Sequence, residues 1–303
     1  MPARAHRLRT DEGVADGLRR VARGRAEKAL ERLEGAGADE RLAGAIHGAR
    51  KDLKKLRALA RLVRKELGAD LFAAENRRYR DAGRLLSGSR DAQVKLETLI
   101  GLRKAAADEL PAAETALWES ELEAERDAAL ATLGKESAGR LERARGEIAA
   151  GRERIDEWPL APDGWKLVGP GLRRAYRDGR RGMKRVRKDA AAEAVHAWRK
   201  RVKDLWYQLR LIEEEWPAPL GATAAQAHEL AELLGDHHDL AVLAEDLGSR
   251  WGVSGKARFE AAIERRQREL LAAAMAIGAR LYAEKPAAFS ARLEAYWLAW
   301  RER

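Results

Sequence analysis

The sequence predicts an all-α fold: two antiparallel helical bundles related by a pseudo-twofold axis. Three observations carry that expectation. Ala, Leu, Glu, Arg and Lys dominate the 303 residues, while β-branched residues and hairpin signals are scarce. Apolar residues recur at steps of three and four along nearly the whole chain. Finally, three segments of the first half return in the same order in the second. GLRR at Gly17–Arg20 reappears at Gly171–Arg174, IHGARKDLKKLRALARLV (Ile46–Val63) as VHAWRKRVKDLWYQLRLI (Val195–Ile212), and RLLSGSRDAQV (Arg84–Val94) as ELLGDHHDLAV (Glu232–Val242). Matches in register at a nearly constant spacing point to an internal duplication.

In chain order, the periodicity places first-half helices near 11–34, 38–67, 70–87, 90–109, 111–133 and 137–157. The second series falls near 171–188, 190–215, 219–235, 238–250, 254–283 and 286–302. Between them WPLAPDGWKLVGPG (Trp158–Gly171) holds three of the eight prolines and three glycines, which makes it the expected linker. The units are therefore 1–157, a linker at 158–170, and 171–303. In the twice-written helix, Ile46, Ala49, Leu53, Leu56, Ala60, Val63 and Leu67 form one apolar seam. Val195, Trp198, Val202, Leu205, Leu209 and Ile212 form the other. Trp118, Trp297 and Trp300 sit at similar spacings and are expected in the core.

The basic residues of these helices fall on a second stripe. His47, Arg50, Lys51, Lys54, Arg57 and Arg61 lie about 130° from the seam, over roughly 20 Å of helix axis. His196, Arg199, Lys200, Lys203 and Arg210 repeat the pattern. Like charges three and four residues apart cost a helix a few tenths of a kcal/mol per pair. A stripe written twice, with a His inside it, is therefore expected to meet an external anion. A merely solvated face explains one such helix better than it explains two. Arg19 and Arg23, matched by Arg173 and Arg177, can extend the site, as can Arg77, Arg80 and Arg84 on the third helix and Arg90 after it. The second half has Ala225, His228, Glu232 and His238 in those last four places, so the site is expected to be stronger in the first half.

Charge and composition narrow the partners. Lys and Arg total 59 against 49 Asp and Glu, a net +10, which suits a polyanion. Cysteine is absent, removing disulfides and thiolate metal ligands. The N-terminus lacks a signal-peptide core, and LLAAAMAIGA (Leu270–Ala279) is too short to span a bilayer. A cytoplasmic protein is expected, with no membrane partner and no cofactor.

The duplicated His-x-x-Arg-Lys-x-x-Lys motif, followed by LSGSRDAQV in one half and LGDHHDLAV in the other, resembles the conserved histidine α-helical domain family, CHAD. The resemblance covers nearly the whole chain. It implies two helical bundles around a basic central groove and binding of inorganic polyphosphate, with attachment to polyphosphate granules where these form. Carried over by position, His47, Arg50, Lys51, Lys54, His196, Arg199, Lys200 and Lys203 are the implied groove residues. Many relatives carry an N-terminal CYTH phosphohydrolase domain marked by an E-x-E-x-K strand; ELEAER (Glu121–Arg126) lacks the Lys, so the stand-alone, non-catalytic form is implied.

Polyphosphate chemistry agrees with these residue types. Arg holds phosphate bidentately, Lys supplies point charge, and a His beside phosphate is expected to gain a proton as its pKa rises. Two alternatives stand beside this reading. Asp236–Asp239 (DHHD), with His228 and Asp246, suggests a metal-dependent phosphohydrolase of the HD type, although the matching Asp91 and Asp239 are better read as helix caps or ion-pair partners. The basic charge also suits non-specific nucleic-acid binding, for which no helix-turn-helix, RNP or zinc-finger signature is present.

Overall fold

The computed structural model describes residues 6–34, 40–86, 90–136, 138–161, 163–250 and 253–302. Among these are eleven α-helices and no strand, as the periodicity predicts. They are α1 (Val14–Glu34), α2 (Glu40–Leu62), α3 (Arg64–Leu85), α4 (Arg90–Ala105), α5 (Ala112–Glu136), α6 (Ala138–Arg154), α7 (Trp165–Lys188), α8 (Ala192–Leu211), α9 (Pro217–Arg250), α10 (Val253–Leu281) and α11 (Pro286–Arg301). None of the described helices is long and apolar enough to cross a membrane.

Both expected seams are buried along their full length, from Ile46 to Leu67 and from Val195 to Ile212. Trp118, Trp198, Trp297 and Trp300 are core residues as well. α1 packs on α2 and α6, while α7 packs on α8 and α11. The cores do not follow the expected division at 158–170, however. The main core joins α1, α2, α3 and α6 to α7, α8, α11 and the start of α9. A second core takes Leu99 and Trp118 from α4 and α5, and Leu243 and Phe259 from the end of α9 and from α10. Trp118 and Phe259 meet there edge to face, 5.3 Å apart. Each core thus needs both halves of the chain, because amphipathic faces bury against whichever face completes the apolar layer.

Two boundaries differ from the periodic reading. Helices expected at 219–235 and 238–250 are one continuous α9. Gly235 is not a breaker, since a Cβ there would stand 2.7 Å from Arg199 Nη2. It permits a close approach by the guanidinium. Likewise the expected linker is half helix. Gly164 takes φ +63°, and α7 begins at Trp165 and runs through Pro170. Gly169 leaves room for the Trp165 indole, and Gly171 lets α7 press on α2, its hypothetical Cβ lying 2.1 Å from the Leu62 carbonyl oxygen. Pro170 is on the exposed side, so the carbonyl that its ring leaves without a donor faces water. Arg174 Nη2 donates to the carbonyl oxygens of Arg61 and Leu62 at 3.1 and 3.4 Å, satisfying the end of α2. Gly171→Ala should therefore force α2 and α7 apart at a cost of about 3 kcal/mol. Gly24→Ala, with nothing near its Cβ, should stabilise by about 0.5–1 kcal/mol. Urea midpoints of the two variants check the contrast.

An unanticipated segment precedes α1. The Leu8 N–H donates to the Leu211 carbonyl at 2.9 Å, and Arg7 pairs with Glu213 and Glu214 beyond α8. From α11, Arg301 donates to the carbonyls of Thr10 and Glu12. His6 is buried there, its pKa pushed down to about 3 by burial first and then by the Arg25 and Lys55 charges.

Candidate functional site

The site begins with how α2 and α8 are held side by side. Arg61 Nη2 meets Asp204 Oδ1 at 2.6 Å, and the buried Gln208 amide donates to the Ala58 carbonyl at 3.1 Å. With seams packed inward, the two basic stripes come together. Lys54 shows the result most directly. Its pKa falls to about 8, by burial first and then by the charges of Lys203, Arg50, Arg199 and Lys51. Its side chain is nonetheless exposed by surface area.

The cluster continues along both helices. Arg57 is depressed to about 10 by burial and by Arg61, Arg80 and Arg201, against a contrary pull from Asp204. Lys200 is lowered by burial, then by Arg201 and Arg57. Lys203 is lowered by burial and Arg199, with Glu232 and Asp239 opposing. Arg50, Lys51, Lys54, Arg57, Arg61, Arg80, Arg199, Lys200 and Lys203 are thus brought into one cationic neighbourhood, fed by α2, α3 and α8.

The supports differ between the two sides. α3 steadies α2 with neutral groups: Arg57 Nε donates to Asn76 Oδ1 at 3.0 Å, Arg61 to the same oxygen at 3.3 Å, and Arg50 to the Leu86 carbonyl at 3.2 Å. α9 steadies α8 with acids. Lys203 lies 3.5 Å from Glu232, and Arg199 lies 4.0 Å from Asp239. His196 stacks on His238 with centroids 4.1 Å apart, and Trp206 on His228 at 3.9 Å. On the α2 side Lys54 faces only cations while Arg61 takes Asp204, and on the α8 side Arg199 and Lys203 are partly neutralised by acids of α9.

Other expected site residues lie elsewhere. Arg19 donates to the Trp158 carbonyl at 2.8 Å and Arg23 pairs with Asp156 at 2.7 Å, so both bind α1 to the turn after α6. Arg173 and Arg177 are exposed on α7, Arg177 against Asp178. Arg210 pairs with Glu213 at 3.0 Å and sits close enough to His6 to act on it. Arg84 turns away from α2, toward Asp81 and α6. The side chain of Arg90 lies outside the described residues. Arg201 and Asn76, which the sequence did not single out, stand in the same neighbourhood, Arg201 acting on Arg57 and Lys200 and Asn76 accepting from Arg57 and Arg61. Arg201 was visible as a charge beside Lys200, whereas Asn76 carries no signal in the sequence.

The two histidines of the stripes differ in setting. His47 is half-buried on α2, one turn before Arg50. His196 is pulled down to about 4 by burial first, then by His238, Lys200 and Arg199. In the free protein it is neutral at pH 7. Its Nδ1 is buried without a hydrogen-bond partner among the described residues. Phosphate must therefore overcome this neighbourhood before His196 protonates.

The Asp236–Asp239 stretch also departs from expectation. It lies within α9, so Asp239 is no N-cap. Its side chains diverge: His237 is buried, its carbonyl accepting from Gln267 at 3.1 Å, while His238 faces His196 and Asp239 faces Arg199. Asp246 takes Lys95 and the Trp118 indole. Among the described residues no three His, Asp or Glu side chains are grouped to hold a metal ion.

Two comparisons bear on this site. The model of the CHAD domain matches residues 12–248, from just before α1 to the last turn of α9. Comparison with curated proteins gives no match. CHAD domains are associated in general with polyphosphate. With more than half its length matched, this chain belongs to the CHAD family.

Proposed function

We propose that this protein binds inorganic polyphosphate without turning it over, in a basic groove between the duplicated helices α2 and α8. The observation that carries the reading is Lys54, whose shifting charges are all positive. A cation held among cations is unfavourable in the free protein and becomes favourable when a polyanion arrives. Similar packing of α1 on α2 and α6, and of α7 on α8 and α11, supports duplication. The converging groups are donors and point charges, and polyphosphate presents little but acceptor oxygens. Nucleic acid is the weaker reading, because Trp206 is already stacked on His228 and Tyr207 and offers no ready platform for a base. Where polyphosphate accumulates in granules, the protein is expected on them.

Calorimetric titration with linear polyphosphate at several salt concentrations tests the proposal. If seven cations engage (Arg50, Lys51, Lys54, Arg57, Arg199, Lys200 and Lys203), log affinity should fall against log salt with a slope of about −5, by analogy with single-stranded nucleic acid. Absence of binding, or affinity indifferent to salt, overturns it. Glu232 gives an opposite expectation. Its carboxylate occupies Lys203 and repels the ligand, so Glu232→Gln should tighten binding, by about fivefold for one surface ion pair removed. An unchanged constant would mean that Lys203 does not meet the chain.

A further inference from the structure

α3 is basic on more than the side that faces α2. A cavity of about 710 Å³ opens between α3 and α6, lined by Arg77, Arg78, Arg84 and Arg140 with Asp81 and Glu147. Its acids are already engaged: Asp81 takes Arg80 at 2.9 Å and Arg84 at 3.5 Å, and Glu147 takes Arg78 at 3.0 Å. Arg77 and Arg140 are exposed and make no hydrogen bond or ion pair among the described residues, although the Arg77 charge reaches Asp81. Four guanidinium groups around a hollow of this size, two of them outside any ion pair, suit an anion rich in oxygen acceptors.

Helix geometry connects the hollow to the cluster on α2. Taking Asn76, which holds Arg57, as zero, a turn of 100° per residue puts Arg80 at about 40°, Arg84 at about 80°, Arg77 at about 100° and Arg78 at about 200°. Arg80, Arg84 and Arg77 therefore follow one another around α3 in steps of about 40° or less, and Arg78, which pairs with Glu147 of α6, lies about 100° further on. Arg80 ends the first patch, since its charge acts on Arg57, and begins the second through Asp81. The geometry points to a continuous track: a polyphosphate chain leaving the α2–α8 groove crosses α3 over Arg80 and Arg84 and settles in the α3–α6 cavity on Arg77 and Arg140. The inference rests on the proposed function and adds a route to it. Because the cavity lies around the helix from the groove, only a ligand longer than the α2 stripe, about 20 Å, occupies both at once. Length selectivity follows, with long chains gaining contacts that short ones cannot make.

Arg77→Gln combined with Arg140→Gln tests the route and breaks no ion pair recorded in the fold. Two linear polyphosphates serve as probes, one no longer than the stripe and one several times its length. In the wild-type protein the long chain should bind with the steeper salt dependence. In the double variant its affinity should fall roughly tenfold, the scale of two surface charge contacts, and its salt slope should shrink by about 1.4. Short-chain binding should stay unchanged. If both probes retain wild-type affinity in the variant, the cavity takes no part and the groove reading survives alone. Equal losses for both would make the cavity part of one compact site and overturn the track. A wild-type protein that binds neither probe would instead sink the function on which the route depends.

Discussion

Replacing Lys54 and Lys200 together by glutamate should abolish polyphosphate binding while making the free protein more stable. The two reversals change the site by four charge units. At about 1 kcal/mol for each near contact in a wet setting, affinity should fall by about 3–4 kcal/mol, between a hundredfold and a thousandfold. Stability should move the other way, because a carboxylate in place of the Lys54 ammonium would sit among Lys203, Arg50, Arg199 and Lys51, which now depress the lysine. A thermal scan with and without ligand separates the effects: the melting temperature of the free variant rises and its ligand-induced increase disappears. Binding that persists would remove Lys54 from the site. The wild-type protein should show a matching pH dependence. Phosphate favours the ammonium form, so affinity is full below about pH 8 and declines as pH rises through that value.

The second large effect is in stability. Glu215 lies in the turn between α8 and α9, 5% exposed, with neither carboxyl oxygen hydrogen-bonded among the described residues. Burial raises its pKa to about 9, against a smaller opposing pull from Arg301. A carboxyl whose folded pKa exceeds its unfolded value of 4.5 gives its full contribution below pH 4.5. That contribution is lost progressively as pH rises toward 9. At pH 7 the fold thus carries a cost of about 3 kcal/mol for keeping the proton on. Glu215→Leu should remove most of it, raise the melting temperature at pH 7 by about 5 °C, and flatten its decline between pH 5 and 9. His6 acts with the opposite sign. Its pKa is lowered from 6.5 to about 3, so its contribution is full above 6.5 and lost as pH falls. A variant with Glu215→Leu should therefore keep its acid sensitivity. If the neutral-to-alkaline decline persists unchanged, Glu215 is not the group responsible.

Both buried titratable groups escaped the sequence. Glu215 stands in a run of acids, Glu213–Glu215, that reads as exposed, and His6 precedes the first periodic helix. Their burial depends on α11 and α8, which pack there from far along the chain. What repeats locally was legible: the seams of α2 and α8 are buried residue for residue, and the stripes opposite them converge. Places where glycine or proline serves packing were not. Gly169, Pro170 and Gly171 have the composition of a linker, and only the approach of Leu62 shows why glycine is required. Gly235, where the expected helix 219–235 stops, lies inside α9 against the Arg199 guanidinium. The same holds for Arg19 and Arg23, whose spacing matches a binding stripe while Asp156 and the Trp158 carbonyl, over 130 residues away, claim them. Periodicity reports which face a side chain occupies, and the partner across that face is set by tertiary packing.

The segment before α1 also bears on how the molecule is made. At roughly 5–20 residues per second, the Leu211 carbonyl that receives the Leu8 N–H is synthesised roughly 10–40 s after Leu8 itself. Arg301, which holds the carbonyls of Thr10 and Glu12, comes later still. Until then α1, α2, α3 and α6 can pack only on one another, and the faces that α2 turns toward α7 and α8 have nothing to close against. The nascent chain must spend that interval with those faces uncovered, so efficient production depends on whatever shelters them, and slowing translation ahead of α8 should lower the yield of soluble protein.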